Sequence, residues 1–245
     1  MKLDIASISN KGGRNVNEDA CHYFSIANIA CCVLSDGLGG HHGGEVASKL
    51  VIEGVVEGIK EVPECNDQVI RFLLNKADKA IVTVQRQNEA LSQMRATVVV
   101  LIIDANEKMA IWGHVGDSRL YCFRNRQIIK QTRDHSVSQS MVDAGYIEPS
   151  DLRSSPTRNQ LYAALGNGDY GKYDIPSATL PIMNGDVFLM CSDGLWEYIE
   201  ENEMESTLNL SRTAAEWLDL LEKLVLARGH PRQDNYSAVA IICKE

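Results

Sequence analysis

The apolar residues of this chain change their spacing near residue 97, and that change limits the folds open to it. Before this point, residues 45–60 and 66–90 place apolar side chains every three or four positions, which is the period of helices. Four short, β-rich runs separated by turn residues follow between residues 97 and 132. This order predicts an antiparallel meander covered by helices, because a doubly wound parallel sheet needs helices and strands in alternation.

Strand-like segments also flank these elements at both ends of the chain. Residues 2–9, 20–34 and 186–192 are apolar runs, and the closing segment YSAVAIICK has the same character. A further helix is predicted at 213–229 from its apolar spacing. The chain contains no repeat, linker or low-complexity stretch. We therefore predict a single α+β domain over residues 1–245, with antiparallel sheets covered by helices.

The segment 137–165 departs from this regular pattern. It is polar and irregular, and it contains Pro149 and Pro156, which interrupt regular elements. We predict that it forms a partly helical, lid-like insertion within the domain.

The composition argues against several classes of function. The formal net charge is -9, whereas non-specific binding to nucleic acid or to an anionic membrane needs a basic face. The longest apolar runs, such as 97–103, are too short to span a bilayer. Seven cysteines without a Cys-x-x-Cys pair indicate buried thiols in a reducing compartment. We expect a cytoplasmic monomer with no nucleic-acid or membrane partner.

Five aspartates stand at predicted strand ends or beside turn residues: Asp19, Asp36, Asp117, Asp193 and Asp234. Two of them lie in the same tetrapeptide, Ser-Asp-Gly-Leu, after apolar runs far apart in the chain. Any one of them alone is explained better by a surface turn, because Asp-Gly is a common turn pair. If several met, their repulsion would require a cation among them, and carboxylate oxygens suit Mg²⁺ or Mn²⁺. Gly37 would leave room for its own carbonyl to face such an ion.

The letters and order of these motifs resemble the PPM-type, metal-dependent protein serine/threonine phosphatases, the 2C class. The similarity runs from about residue 5 to about residue 242, and the chain looks most like the small free-standing bacterial members. One motif alone would be weak evidence, but the ordered set is specific. The motifs stand at Arg14-x-x-Asn17-Glu18-Asp19, Asp36-Gly37-Leu38-Gly39-Gly40-His41, Gly116-Asp117-Ser118-Arg119, Asp134-His135-Ser136, Ser192-Asp193-Gly194-Leu195-Trp196 and Asp234-Asn235.

This resemblance implies a four-layer α-β-β-α sandwich of two antiparallel sheets with two divalent ions, Mn²⁺ or Mg²⁺, at one end. By similarity, Asp36 would bridge both ions. The carbonyl of Gly37 would hold one ion, and Asp193 and Asp234 would hold the other.

Four more residues take roles from the same resemblance. Asp19 and Glu18 look like outer members of the metal site that orient water. Asp117 resembles the residue that, with Asp193, holds a third ion in bacterial members. Arg14 would bind the substrate phosphate, so Arg14, Asp36 and Asp193 are the residues expected to carry catalysis.

Several of these residues have structural alternatives. Arg14 could be a solvated loop arginine, and Asp117 could form a turn and an ion pair with Arg119. His135 is better explained as the cap of a buried turn, and Trp196 as part of the core.

The chain also departs from the family pattern in places. Some eukaryotic members place a histidine, used as general acid, where this chain has Leu38, which cannot donate a proton. His41 is a candidate substitute, although it and His42 could be exposed loop residues. Arg95-Ala96-Thr97 replaces the usual Gly-Thr-Thr but removes no expected ligand. The lid-like segment is the part that varies most among members of the family.

The resemblance implies hydrolysis of phosphoserine and phosphothreonine in proteins by a water held between the two ions. Such an enzyme would oppose a bacterial Ser/Thr kinase, which in some relatives controls type VI secretion. Two alternatives stay open. A pseudophosphatase would bind a phosphoprotein without hydrolysing it, although no metal aspartate is lost here. A metallohydrolase would act on small phosphoesters instead.

Overall fold

The computed structural model describes residues 1–39, 43–167 and 172–245. Within these ranges the chain forms eleven strands, six α-helices and two short 3-10 helices. The strands are β1 Lys2–Asn10, β2 Asp19–Ile26, β3 Ile29–Leu38, β4 Arg95–Ala96, β5 Val98–Asp104, β6 Met109–Val115, β7 Arg119–Arg124, β8 Gln127–Gln131, β9 Leu180–Pro181, β10 Val187–Cys191 and β11 Tyr236–Lys244. The α-helices are α1 Gly43–Glu61, α2 Asp67–Gln87, α3 Val137–Asp143, α4 Asp193–Trp196, α5 Glu201–Leu210 and α6 Ala214–Arg228.

Two antiparallel sheets pack face to face between layers of helices. The first sheet has the strand order β1-β11-β10-β7-β8, and the second has the order β2-β3-β5-β6-β9, with β4 paired to β3. Helices α1 and α2 cover the outer face of the second sheet, and α5 and α6 cover the outer face of the first. This arrangement confirms the predicted α-β-β-α sandwich.

Strand β3 shows why the central strands are apolar along their whole length. Cys31 and Val33 pack against the helices, while Cys32 and Leu34 face the opposite sheet. Side chains of a strand alternate between its two faces, and here both faces are buried. No polar alternation is therefore left in the sequence.

The predicted meander of four central strands is wrong in one respect. Strands β5 and β6 pair in the second sheet, whereas β7 and β8 pair in the first, so the chain crosses between sheets after Val115. Gly116 makes this crossing with a φ of +99°, which side-chain-bearing residues rarely adopt. Turn residues mark hairpins and crossings alike, so the sequence pattern does not separate the two.

The helices differ from the prediction at three points, one of which is the short helix α4, which was not predicted. The helix predicted at 66–90 ends at Gln87, because Asn88 is extended and caps a following 3-10 turn instead. Helix α5 was not predicted. It buries only Met204 and Leu208, which is too few apolar positions to show a helical period.

The segment 137–165 contains α3 and the 3-10 helix Pro149–Ser154. It is therefore partly helical, while its role as a lid stays a prediction. Among the described helices, none combines the length and the apolar character that crossing a membrane requires.

Candidate metal centre

The loops and strand ends that carry the predicted site residues meet in one cavity at one end of the sandwich. Of the eight residues given a role in the site, only Asp19 is missing from its lining, and Asp19 is buried opposite Asp36 on the neighbouring strand. The cavity has a volume of about 160 Å³. Its described lining consists of Arg14, Glu18, Asp36, Gly37, Leu38, Gly39, Asp117, Asn159, Leu161, Asp193, Asp234 and Asn235.

Asp36 is held in place through its backbone. Its N–H donates to Thr97 Oγ1 at 3.0 Å, and its carbonyl accepts from the Thr97 N–H at 2.9 Å. The Thr97 hydroxyl also contacts the Ser118 hydroxyl at 2.7 Å, which links this strand end to the loop that carries Asp117. The departure Arg95-Ala96-Thr97 thus keeps the threonine that anchors Asp36.

Gly37 allows three backbone segments to approach one another. A Cβ at this position would lie 2.0 Å from the Gly44 carbonyl oxygen and 2.7 Å from the Glu18 carbonyl oxygen. A Cβ at Gly44 would lie 2.6 Å from both the Gly37 carbonyl oxygen and Glu18 Oε1. The two glycines therefore leave a small space open beside two oxygen atoms with lone pairs, the Gly37 carbonyl oxygen and Glu18 Oε1.

Asp193 and Asp19 each have a buried oxygen without a hydrogen-bond donor. Asp193 begins α4, and its Oδ1 has no partner among the described residues. Asp19 Oδ2 accepts from Ser192 Oγ at 2.7 Å, but its Oδ1 is equally unpartnered. Burial of an unsatisfied carboxylate oxygen is unfavourable. A bound cation or a hydrogen-bond donor would stabilise these two oxygens.

Arg14 and Asp234 form an ion pair at the mouth of the cavity. Arg14 Nη2 lies 2.7 Å from Asp234 Oδ2, and the two side chains are 53% and 36% exposed. Arg14 is thus partly solvated, as its alternative interpretation holds, yet its guanidinium is directed at the cavity.

Asn235 positions the loop between β1 and β2, which carries Arg14. Its Oδ1 accepts from the Glu18 N–H at 2.8 Å. Its Nδ2 donates to the carbonyls of Lys11 and Val16 at 2.9 and 3.0 Å. This asparagine follows a predicted ligand in the chain, but its bonds to three backbone groups leave no signal in the sequence.

Asp117 lies in the crossing between the sheets and is buried. Of the alternative interpretation, the turn is present, since Asp117 lies in a bend of the backbone. The ion pair with Arg119 is not formed, because Arg119 Nε and Nη2 bond both oxygens of Asp134 at 2.8 Å, and the charge of Arg119 only partly offsets the burial that raises the pKa of Asp117. The Asp117 carbonyl accepts from Trp196 Nε1 at 2.9 Å. Trp196 is 1% exposed, so its assignment to the core is confirmed.

The two histidine predictions have different outcomes. His135 Nδ1 accepts from the Gly116 N–H at 3.3 Å, which agrees with a role in holding that turn. His41, the suggested proton donor, lies outside the described residues, as does His42.

The clustered carboxylates raise one another's pKa values. Burial raises the pKa of Asp36 well above its usual value, and the charges of Asp19 and Asp193 raise it further. Burial, followed by the charge of Asp117, also raises the pKa of Asp193 well above its usual value. Burial is the largest cause that raises the pKa values of Asp19 and Asp117 to about 7. Such a cluster does not ionise fully at neutral pH without added positive charge.

The donor set fits a hard divalent cation. The described lining contains carboxylates, amides and the Gly37 carbonyl, with no sulfur or imidazole among them. Mg²⁺ and Mn²⁺ prefer such oxygen ligands. A cation here would also satisfy the unpartnered oxygens of Asp19 and Asp193. The assignment of individual ligands stays a prediction.

Asn159 and Leu161 line the cavity and were not predicted. Both come from the segment 137–165, which therefore reaches the site. They belong to no recognisable motif, and the only signal in the sequence was that this segment was expected to be lid-like.

A sequence model described as "Protein phosphatase 2C" matches residues 9–229 of the chain. The serine/threonine phosphatase stp of Listeria monocytogenes is 30% identical over 234 residues, which cover 93% of this chain and 90% of that protein.

Solved structures also superpose on this chain over almost its whole length. The catalytic domain of the serine/threonine protein phosphatase PstP, crystallised with two manganese ions, superposes with a TM-score of 0.81 at 27% identity over 99% of both chains. PppA, described as a key regulatory component of the type VI secretion system in Pseudomonas aeruginosa, superposes with a TM-score of 0.79 at 28% identity over 99% of this chain and 98% of its own.

Proposed function

The chain belongs to the protein phosphatase 2C family, and on that basis we propose that it hydrolyses phosphoserine and phosphothreonine in proteins with the help of divalent metal ions. One observation carries this proposal. Asp36, Gly37, Asp193 and Asp234 come from three distant parts of the sequence and line one oxygen-rich cavity, with Arg14 at its mouth. That arrangement combines a site for cations with a group that binds phosphate.

We propose that the Asp36 carboxylate would help to hold both divalent ions. The charges of Asp19, Asp193, Asp117 and Asp234 all act on Asp36, which supports a central position for this carboxylate. The Gly37 carbonyl would hold one ion.

The remaining acids would complete the site. Asp193 and Asp234 would hold the second ion, and Asp117 with Asp193 would hold a third. Asp19 and Glu18 would act as outer groups of the site. The unpartnered Asp19 Oδ1 and the fixed backbone of Glu18 support this role.

Bound Mn²⁺ or Mg²⁺ would supply Lewis-acid activation of water and would stabilise negative charge on the phosphoryl oxygens. Arg14 would bind the phosphate dianion through its planar, permanently charged guanidinium. To do so, it exchanges or shares its bond to Asp234. Its exposure at the mouth leaves it free to make that change.

Leu38 lines the cavity at the position of the histidine used by some relatives. Since its side chain cannot move a proton, we propose that water protonates the leaving serine or threonine oxygen. The segment 137–165 would contact the substrate through Asn159 and Leu161, which already line the cavity.

The expected substrate is a phosphoprotein, in keeping with the names of the relatives. We propose that the enzyme opposes a bacterial Ser/Thr kinase, and the likeness to PppA suggests control of type VI secretion as one setting. A cytoplasmic location fits the chain, because all seven cysteines are free thiols, as is usual in a reducing compartment. The monomeric state is a separate part of the proposal.

The test is hydrolysis of a phosphothreonine peptide by the purified chain in EDTA, in Mn²⁺ and in Mg²⁺. An Asp193→Asn variant is assayed in Mn²⁺ alongside, and nucleotides replace the peptide in a parallel series. We expect metal-dependent hydrolysis that prefers the peptide and is lost in the variant.

Two other outcomes point elsewhere. Metal-dependent hydrolysis of nucleotides in preference to peptide would indicate a small-phosphoester hydrolase. A wild-type chain that is inert in Mn²⁺ toward both the peptide and an aryl phosphate would refute catalysis, and phosphopeptide binding without turnover would then indicate a pseudophosphatase.

A further inference from the structure

The acidic cavity is the one lined by Asp36, Asp117, Asp193 and Asp234. A second cluster of metal-ligating side chains lies outside it. His114 near the end of β6, His135 in the loop after β8, and Asp174 each offer one ligand atom, and these three atoms lie within 4.8 Å of one another. The backbones of His114 and Asp174 exchange N–H···O bonds of 3.0 and 3.1 Å. The two imidazole rings stack with centroids 4.7 Å apart. The three side chains are therefore held together by the fold.

His114 has one nitrogen free to bind a ligand. Its Nε2 lies 2.8 Å from the Arg133 carbonyl oxygen, which can only accept, so Nε2 carries the proton. In the neutral ring, Nδ1 then presents a lone pair. This atom is buried without a hydrogen-bond partner among the described residues, and the residue is 1% exposed. One ring nitrogen on a carbonyl and the other free is the arrangement found in metal-bound histidines.

His135 and Asp174 connect the cluster to solvent. Both line an open cavity of about 270 Å³, together with Tyr162, Ala163, Lys172 and Tyr173. The described hydrogen bond at the His135 ring, from the Gly116 N–H, is 3.3 Å long, which is weak for its type. The cavity thus gives an ion a path from solvent to the His135 ring and to Asp174.

Both imidazoles are in the protonation state that a metal needs. Burial lowers the pKa of His135 to about 4 and also lowers the pKa of His114. Near pH 7 the rings are neutral, and neutral imidazole is the form that binds metals.

We propose that His114, His135 and Asp174 bind one transition-metal ion of the zinc type at a site distinct from the acidic cavity. Two imidazoles and a carboxylate, completed by water, form a ligand set that Zn²⁺ accepts. Mg²⁺ favours sites made of oxygen alone, so the two sites select different metals. The ion joins strand β6 to two loops and so ties three segments of the chain together.

Co²⁺ is the probe for this site, because four-coordinate Co²⁺ with imidazole ligands absorbs visible light far more strongly than six-coordinate Co²⁺ with oxygen ligands. Co²⁺ is titrated into the purified chain in a large excess of Mg²⁺, which occupies the acidic cavity. We expect an intense visible band that saturates at about one equivalent and that Zn²⁺ abolishes. In the same Mg²⁺ buffer, Zn²⁺ is expected to raise the Tm, because it binds only the folded state at this site.

His135→Ala and Asp174→Asn are the test variants, because neither residue is fully buried. Each is expected to weaken Co²⁺ binding by at least about tenfold, the effect that losing a supporting group of a metal site already has. Glu53→Gln is the matched control. It removes one charge from an exposed carboxylate on α1 and should leave the band unchanged.

Circular dichroism of each variant shows whether it is folded. The proposal is overturned if the wild type gives no intense band, or if the band persists in both folded variants. The stacked histidines would then serve packing alone.

Discussion

Buried carboxylates occur in two settings in this molecule. Arg119 bonds both oxygens of Asp134 at 2.8 Å, and their side chains are only 4% and 2% exposed. Asp36 and Asp193 are influenced chiefly by burial and by other carboxylates. A buried acid with its own guanidinium is compensated within the fold, whereas a cluster of acids without one is unfavourable until a cation binds. The first setting supports the structure, and the second forms a binding site.

Strand β10 carries one aspartate of each kind just outside its two ends. Asp186 precedes the strand, is 1% exposed, and bonds Arg124 Nε at 3.0 Å and Nη2 at 2.8 Å. Asp193 follows the strand and lines the acidic cavity. Only the end that meets the other acidic loops forms a site, so an aspartate near a strand end is by itself ambiguous.

The largest expected effect comes from breaking the compensated pair. Arg119→Met leaves Asp134 buried without a partner and removes the guanidinium that lies 3.6 Å from the Trp196 ring centroid. We expect the free energy of unfolding to fall by about 3–5 kcal/mol. Urea denaturation followed by tryptophan fluorescence measures this loss.

The matched double variant Arg119→Met, Asp134→Leu removes the stranded charge as well. Because an apolar pair of similar volume can replace a buried ion pair, it should recover most of the stability. A single variant as stable as the wild type, within about 1 kcal/mol, would contradict the structural role given to this pair.

The opposite result is expected in the acidic cluster. Asp36→Asn replaces a carboxyl group whose charged form is disfavoured by burial and by the neighbouring acids, so the free energy of unfolding in EDTA should stay the same or rise. Hydrolysis of a phosphothreonine peptide in Mn²⁺ should fall by at least about 10²–10³-fold, the scale of losing one charge-stabilising group. If stability in EDTA instead dropped as far as in Arg119→Met, Asp36 would belong with the compensated acids.

The pH dependence of stability sharpens the same contrast. The folded-state pKa of Asp19 is about 7, against an ordinary value of 3.8, so between these values the folded protein binds more protons than the unfolded chain. In EDTA, stability should therefore fall as the pH rises from about 4 to about 7, by up to about 1.4 kcal/mol per pH unit for each such group, and then level off.

Saturating Mn²⁺ should remove most of that slope, because the ion replaces the protons as the compensating charge. Thermal unfolding across this pH range, with EDTA or with Mn²⁺, provides the measurement. Identical slopes in the two buffers would argue that no cation binds among these acids.

The spacing of apolar residues predicted antiparallel sheets covered by helices, whereas the four-layer sandwich and the residues of the cavity were implied by the family resemblance of the motifs. The two Ser-Asp-Gly-Leu segments were informative because a repeated turn after an apolar run is unusual. The crossing after Val115 was missed, since its glycine looks like that of a hairpin. The Arg119–Asp134 pair was missed because a long-range ion pair leaves no local pattern. Asn159 reaches the site only through the path of an irregular segment, which no periodicity describes.

The smallest effect on stability is expected at the exposed Arg14–Asp234 pair, in which an arginine bonds a member of the acidic cluster. Arg14 and Asp234 are 2.7 Å apart but substantially solvated, and such pairs contribute about 1 kcal/mol or less. Arg14→Met should therefore leave urea denaturation nearly unchanged while raising the KM for a phosphothreonine peptide about tenfold or more, since a charge-assisted phosphate contact is lost.

Arg14→Lys is the control, because it keeps the charge but not the planar fork and should give an intermediate KM. If Arg14→Met changed stability but not KM, the arginine would belong to the structural group, and phosphate would have to be held by other residues of the cavity.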